Sequence, residues 1–422
     1  VSRIPYPEVD VERQLTPGGV ERARLRSAAA ALTSLTAVAA TTLVAGPAVA
    51  AKSAMPCALP RTAAHHSLGV DTWNTAYPRP VRTLNAVMVF LSFPDSSPVA
   101  APKDLATDYF PATSDFFTRA SYGKFRLKAD ARPQWVRMPK PSTAYRIQRD
   151  WDADRRTEYL RDAVTAADPG VDFSAYDIVY LVADPDAPGV DSDATKVVNF
   201  DQPLRVDGTD LKRVVTVFEQ HPPDRNVLAH ETGHVFDLPD LYHRPMDGKG
   251  DWDTYVGDWD VMGSQFGMAP DLFGWQKWKL GWLDRRQVAC VATRGSSRLT
   301  LAPLSESPAR VGPGGVRLAV VRTSEDSAVA IEARDTAGND RTTCTSGLLI
   351  YRVRGGSASG TGPVEVLDTH PDSGACWEHS VYPALADAPL NVGETFTVPG
   401  DGIRIEATGR TRSGGWTVRV TP

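Results

Sequence analysis

Two apolar runs constrain the fold of this chain more than any other feature. LNAVMVFLSFPD (84–95) and YDIVYLVAD (176–184) are almost continuously apolar until Pro or Asp closes them. A strand that alternates can leave one face in water, whereas a continuous run has to be covered on both. Strands of this kind belong in the interior of a layered domain. The segments around them supply the covering layers. Residues 104–120 mix Leu, Tyr and Phe with Asp in a helical rhythm, and 152–168 read as a charged amphipathic helix with Leu160 and Val164 inward. SYGKFRLKADARPQWVRM (121–138) alternates like exposed strands, and LKRVVTVFEQ (211–220) reads as one more strand. Strands and helices interleaved in this way give an α/β or α+β core and exclude a helical bundle.

Beyond residue 286 the pattern changes. RLTLAPL (298–304), VRLAVVRT (316–323), SAVAIEAR (327–334), GLLIYRVR (347–354) and GWTVRV (415–420) are short, β-branched and separated by Gly and Ser. They predict an all-β C-terminal subdomain over 286–422. The acidic balance, a formal charge of -5 with no basic run outside the N-terminal region, argues against a nucleic-acid partner, because phosphate backbones need a basic patch.

The first fifty residues differ from the rest. Arg22, Arg24 and Arg26 precede an uncharged stretch, Ser27 to Ala50, that ends Ala48-Val49-Ala50. That is the layout of a secretory leader with a small-residue cleavage site. A membrane anchor is the rival reading, but Ala, Thr, Ser, Gly and Pro dilute the apolar character. Residues 1–20 precede the leader without evident structural use. The expected product is secreted, monomeric and without stable membrane association. Export places Cys57, Cys290, Cys344 and Cys376 in an oxidising compartment, where an even number suggests disulfides. Cys344 with Cys376 is the simplest pair, which leaves Cys57 for Cys290. The competing role for Cys57 is a thiolate plug on a metal, displaced when the N-terminal arm is cut.

The chemistry is concentrated in NVLAHETGHVFDLPDLYH (226–243). If 226–236 is helical, His230 and His234 leave one face a turn apart, and two imidazoles so placed can converge on one zinc. Glu231 lies beside that metal without ligating it, where a general base can take a proton from zinc-bound water. Gly233 allows close backbone packing within the helix. Leu238-Pro239 ends it, and Asp240 follows as an oxygen ligand that completes a two-nitrogen, one-oxygen site. Downstream, GDWDVMG (257–263) places Met262 in a turn able to floor the histidine rings.

HETGHVFDLPDLY and GDWDVMG together resemble the immune-inhibitor-A-like (M6) secreted zinc metalloendopeptidases, which belong with the metzincins. FLSFPD (90–95), SYGKFRL (121–127), VDFSAYD (171–177), KWKLGWL (277–283) and GLLIYRV (347–353) extend the resemblance over roughly 84–354. It implies a metzincin-like catalytic domain, with His230, His234 and Asp240 as zinc ligands, Glu231 as base and Met262 as the turn methionine. The implied reaction is hydrolysis of peptide bonds in proteins or peptides. The chain then divides into extension and leader (1–50), a short arm (51–80), the catalytic domain (81–285) and the β-rich subdomain. One departure is Asp237, where the family usually has a glycine to leave the helix. Asp tolerates that left-handed turn at some cost, so a slightly repositioned site is expected.

Five of the ten tryptophans fall within 31 residues just after the motif: Trp252, Trp259, Trp275, Trp278 and Trp282. Core packing is the default for each, with one or two expected at the cleft. Tyr242 and Tyr255 are both open as transition-state donors. Asp247, Asp251, Asp253, Asp258 and Asp260 crowd one loop, which suits either bound calcium (Ca2+) or plain solvation. DPDAPGVDSD (184–193) is a weaker loop of the same kind.

Overall fold

A computed structural model describes residues 55–61, 68–224, 226–245, 249–268, 270–305 and 315–422. The leader and Asp247 lie outside the described residues.

The two apolar runs pair with each other. β1 (Thr83–Ser92) lies between β2 (Arg126–Arg137) and β3 (Ile178–Ala183), parallel to both. β5 (Thr209–Val217) continues the parallel sheet beside β3, and β4 (Lys196–Val206) closes it as an antiparallel edge. The order is β2-β1-β3-β5-β4. Because side chains alternate across a strand, each run faces two cores at once. Leu84, Ala86, Met88 and Phe90 enter one, and Val87, Val89 and Leu91 enter the other.

Helices cover both faces. The 104–120 rhythm forms two helices, α1 (Pro102–Tyr109) and α2 (Ala112–Ala120), divided at Phe110-Pro111. After the single turn α3 (Ser142–Tyr145), α4 (Ala153–Ala167) covers the second core with Tyr159, Leu160, Ala163 and Val164. Its start is fixed by Asp152, whose carboxylate accepts from the Asp154 and Arg155 N–H groups. α5 (Val227–Val235) and α6 (Gly274–Leu280) join α1 and α2 over the first core. Residues 121–138 hold one strand, β2, where alternation predicted several.

The C-terminal region is β-rich. β6 (Val288–Cys290), β8 (Leu318–Arg322), β9 (Ser327–Arg334), β10 (Gly347–Arg354) and β11 (Val364–Val366) form a sheet in the order β11-β10-β9-β8-β6. β7 (Ser297–Leu301), β12 (Thr395–Thr397), β13 (Arg404–Arg410) and β14 (Trp416–Thr421) form another, ordered β12-β13-β14-β7. A single turn, α7 (Pro383–Ala386), lies in the sequence between β11 and β12. Val329, Ile331, Leu348 and Ile350 face the third sheet, as in a sandwich. Their neighbours Ala330, Leu349, Tyr351 and Val353 join the core that contains Val227, Leu228 and Val235 of α5. The second sheet is therefore also a wall of the layer that carries the histidines.

Both expected disulfides are formed, Cys57–Cys290 and Cys344–Cys376, and no cysteine is free. The first rules out the thiolate-plug role for Cys57 in this state. It ties the arm to the start of β6, across 233 residues of sequence. Among the described residues no helix is long and apolar enough to cross a membrane.

Candidate metal centre

Every residue of α5 is buried, and its apolar members surround the helix rather than forming a stripe. The polar residues His230, Glu231, Thr232 and His234 are thus carried inside the protein, where each requires a partner. Thr232 finds two, donating to the Leu228 carbonyl and meeting the Tyr180 hydroxyl of β3 at 2.8 Å. The histidines satisfy only one nitrogen each with the backbone. His230 Nδ1 lies 2.8 Å from the Val261 carbonyl, and His234 Nδ1 lies 2.8 Å from the Leu238 carbonyl. A carbonyl can only accept, so both Nδ1 atoms carry protons. Nε2 is then the nitrogen each ring turns inward, the one left to bind a metal once it is free of its proton.

The chain leaves α5 through Asp237, which adopts a left-handed φ of 63°. The Leu238 N–H returns to the Gly233 carbonyl, 3.1 Å away. Asp237 thus makes the turn that glycine would make. Its carboxylate is buried and paired with Lys279 at 2.8 Å and with Arg61 at 3.6 Å, while Lys279 Nζ also donates to the Asp237 carbonyl. These bonds hold a conformation that L-residues disfavour by roughly 1–2 kcal/mol. The turn delivers Asp240 to the histidines.

Three donor atoms converge there. His230 Nε2 and His234 Nε2 are 3.2 Å apart, and Asp240 Oδ1 lies 3.3 Å from the first and 3.1 Å from the second. Ligands about 2.0–2.1 Å from a tetrahedral zinc are separated by roughly 3.3 Å, so the triangle matches one tetrahedral face. Among the described residues this is the one group of His, Cys, Asp or Glu side chains brought within metal-ligating reach. Asp240 Oδ1 has no hydrogen-bond partner, nor does Glu231 Oε2. Buried polar atoms are seldom left so, and two at one site fit a cation bound between them.

The electrostatics follow from that crowding. Burial raises the Asp240 carboxyl, but His234 and then His230 outweigh it and hold it well below the usual range. Burial opposes a charge on His234, yet Asp240 and then Glu231 lift its pKa to about 9. Burial dominates at Glu231 and raises it, the two histidines working against the shift. The Val197 N–H of β4 also works against the shift.

No family model and no curated protein matches this chain. Its chemistry has to be read from its own cleft.

A cavity of about 380 Å³ opens over His230 and Glu231 and is lined also by Tyr242, Trp252, Glu219 and Arg149. The Tyr242 ring lies nearly parallel to His230, with 6.3 Å between centroids and 12° between planes. Burial, then the charges of Asp240 and Glu231, hold its hydroxyl firmly protonated. Tyr255 packs instead against His243 and Gly362. Of the five tryptophans only Trp252 lines the cavity, with the Arg149 guanidinium 4.4 Å over its ring. Trp259, Trp275 and Trp282 are buried and donate to the Leu385, Val70 and Pro80 carbonyls, and Trp278 stands edge-on to Trp275. Met262 is fully buried against the α5 backbone, and a Cβ at Gly233 would collide with its sulfur. Leu241 N–H donates to the Met262 carbonyl, joining the turn to the segment that bears Asp240.

Glu219 and Arg149 had no sequence signal. Glu219 sits just past the end of β5, and burial, with the charges of Asp224 and Glu231, pushes its pKa up to about 7 against a Thr195 hydrogen bond. Two carboxylates of the acidic loop bind backbone and hydroxyl donors. Asp258 accepts from the Met268 and Val381 N–H groups and Ser380, and Asp260 accepts from Met262 and Phe273 N–H. Asp251 accepts from the Asp253 N–H.

Proposed function

We propose that this protein is a secreted zinc endopeptidase of metzincin type, related to the immune-inhibitor-A-like enzymes. The observation that carries the reading is the triangle of His230 Nε2, His234 Nε2 and Asp240 Oδ1, with an unpartnered Glu231 oxygen beside it. The donor set suits zinc, and three protein ligands leave a fourth position for chemistry. Further support comes from the parallel sheet with an antiparallel edge, the buried histidine helix beside it and Met262 beneath Gly233. Two disulfides agree with an oxidising destination.

When bound, zinc would polarise the scissile carbonyl and acidify the attacking water. The chain's own residues do the rest. The Nδ1 bonds to Val261 and Leu238 hold both imidazoles in the ligating tautomer. Glu231, its carboxyl pKa raised by burial, takes the proton of the attacking water on its free oxygen and passes it to the leaving nitrogen. Tyr242 presents a protonated hydroxyl to the same cavity and can donate to the oxyanion.

The test is cleavage of an unfolded protein with chelator, without it, and with zinc restored. Chelator-sensitive cleavage recovered by zinc supports the reading. Activity on short wall peptides alone would move it to a cell-wall peptide hydrolase, and zinc binding without hydrolysis to a binding protein.

A further inference from the structure

The third ligand is held by the other half of the molecule. Asp240 is in the segment between α5 and α6, and Ser359 is in the loop between β10 and β11, 119 residues away. The Ser359 hydroxyl makes two bonds to this one residue. Oγ accepts from the Asp240 N–H at 2.8 Å and donates to Asp240 Oδ2 at 2.8 Å. A hydroxyl bridging backbone and carboxylate of one side chain fixes its rotation. With Oδ2 held, Oδ1 is the oxygen left facing the two Nε2 atoms. The loop is itself tied along this segment. Gly360 N–H donates to the Asp240 carbonyl at 3.1 Å, and Arg244 N–H donates to the Gly360 carbonyl at 2.9 Å. Leu349, Tyr351 and Val353 anchor β10 in the core shared with α5.

We infer that Ser359 is a positioning residue for the metal centre: it presents Asp240 to the metal through one oxygen, and the β-rich region is thereby part of the site. This rests on the metalloenzyme reading above. Ligating carboxylates are commonly oriented by an outer hydrogen bond, and losing such a bond costs roughly 10–100-fold in metal affinity.

Zinc titration of the full chain, against a competing chromophoric chelator, tests this without reference to turnover. Ser359→Thr and Ser359→Val have the same shape and differ in the hydroxyl alone. The valine form should bind zinc about 10–100-fold more weakly than the threonine form, which should approach wild type. In cobalt-loaded protein the valine form should also show an altered ligand-field spectrum. Thr361→Ala removes a nearby hydroxyl that bonds only to the Ala358 carbonyl, and should leave affinity unchanged. Metal-free melting of each variant separates lost positioning from lost folding. Equal zinc affinity for the two Ser359 variants, or equal weakening by Thr361→Ala, would overturn the inference. A wild-type protein that binds no zinc would instead overturn the metalloenzyme reading itself.

Discussion

Two groups of carboxylates lie close in sequence and differ in what their oxygens do. Asp258 and Asp260 spend both oxygens, on the backbone N–H groups of Met262, Met268, Phe273 and Val381 and on the Ser380 hydroxyl. Glu231 and Asp240 each keep one oxygen without a partner, beside the same pair of imidazoles. The first pattern folds a loop, because unpaired N–H groups of a tight turn need acceptors. The second leaves acceptors that a bound cation would satisfy. Acidic residues alone do not distinguish a ligand site from a scaffold, and an unspent oxygen alone does not either, since Asp340 Oδ2 and Asp387 Oδ1 also lack partners. What sets Asp240 apart is that its free oxygen converges with two imidazole nitrogens.

That comparison can be broken most directly at Asp240. Asp240→Ala should weaken zinc by more than the ~10–100-fold attached to outer-shell losses, leaving two histidines, while metal-free melting falls only by what the pairing with His234 contributed. Equilibrium dialysis checks it, and unchanged affinity would place the third ligand elsewhere. Asp260→Ala should do the reverse. It strands two buried N–H groups at about 1–3 kcal/mol each, so the melting midpoint should fall while zinc stoichiometry in the folded protein holds. A loss of metal without a loss of stability would blur the two classes.

Proton competition sharpens the contrast. His234, raised to about 9 in the metal-free protein, must lose its proton to bind metal. Apparent zinc affinity should rise about tenfold per pH unit from 7 towards 9 and then level. The metal-free fold should respond in the opposite sense. A histidine pKa above its ordinary ~6.5 contributes stability that is complete below that value and fades as pH rises through about 9. Calorimetric zinc titration across pH reads the first trend and metal-free melting the second, and a flat affinity would contradict the pairing with Asp240. The smallest effect expected is at Tyr242: Tyr242→Phe should lower kcat by about tenfold, the scale of one modest transition-state hydrogen bond, with zinc retained. Tyr255→Phe should do nothing comparable.

Much of this was legible before the structure. β1 and β3 follow from their unbroken apolar runs, and α4 from Leu160 and Val164 at helical spacing. The helix of His230 and His234 could be placed because its motif is local. Other elements lacked such a signal. β4 is an edge strand with Asn199, Gln202 and Pro203 along it, so neither an apolar run nor strict alternation marks it. Phe110-Pro111 splits one apparent helix in two. Ser359 sits in GGSASGTG (355–362), which reads as a break between strands. Its meaning depends on a contact with Asp240 across 119 residues, which no local pattern encodes. The same is true of Lys279 and Arg61, whose charges hold the Asp237 turn.

The central claim is that three side chains hold zinc and a fourth, Glu231, moves the proton. Glu231→Gln separates these roles in one protein, because it removes the base and leaves every ligand in place. Zinc per chain and cleavage of an unfolded protein should be measured on the same preparations of wild type and variant. Each should hold one zinc, and the variant should lose at least about 10²–10⁴-fold in cleavage. Zinc-loaded Glu231→Gln protein that cleaves at the wild-type rate would contradict the claim.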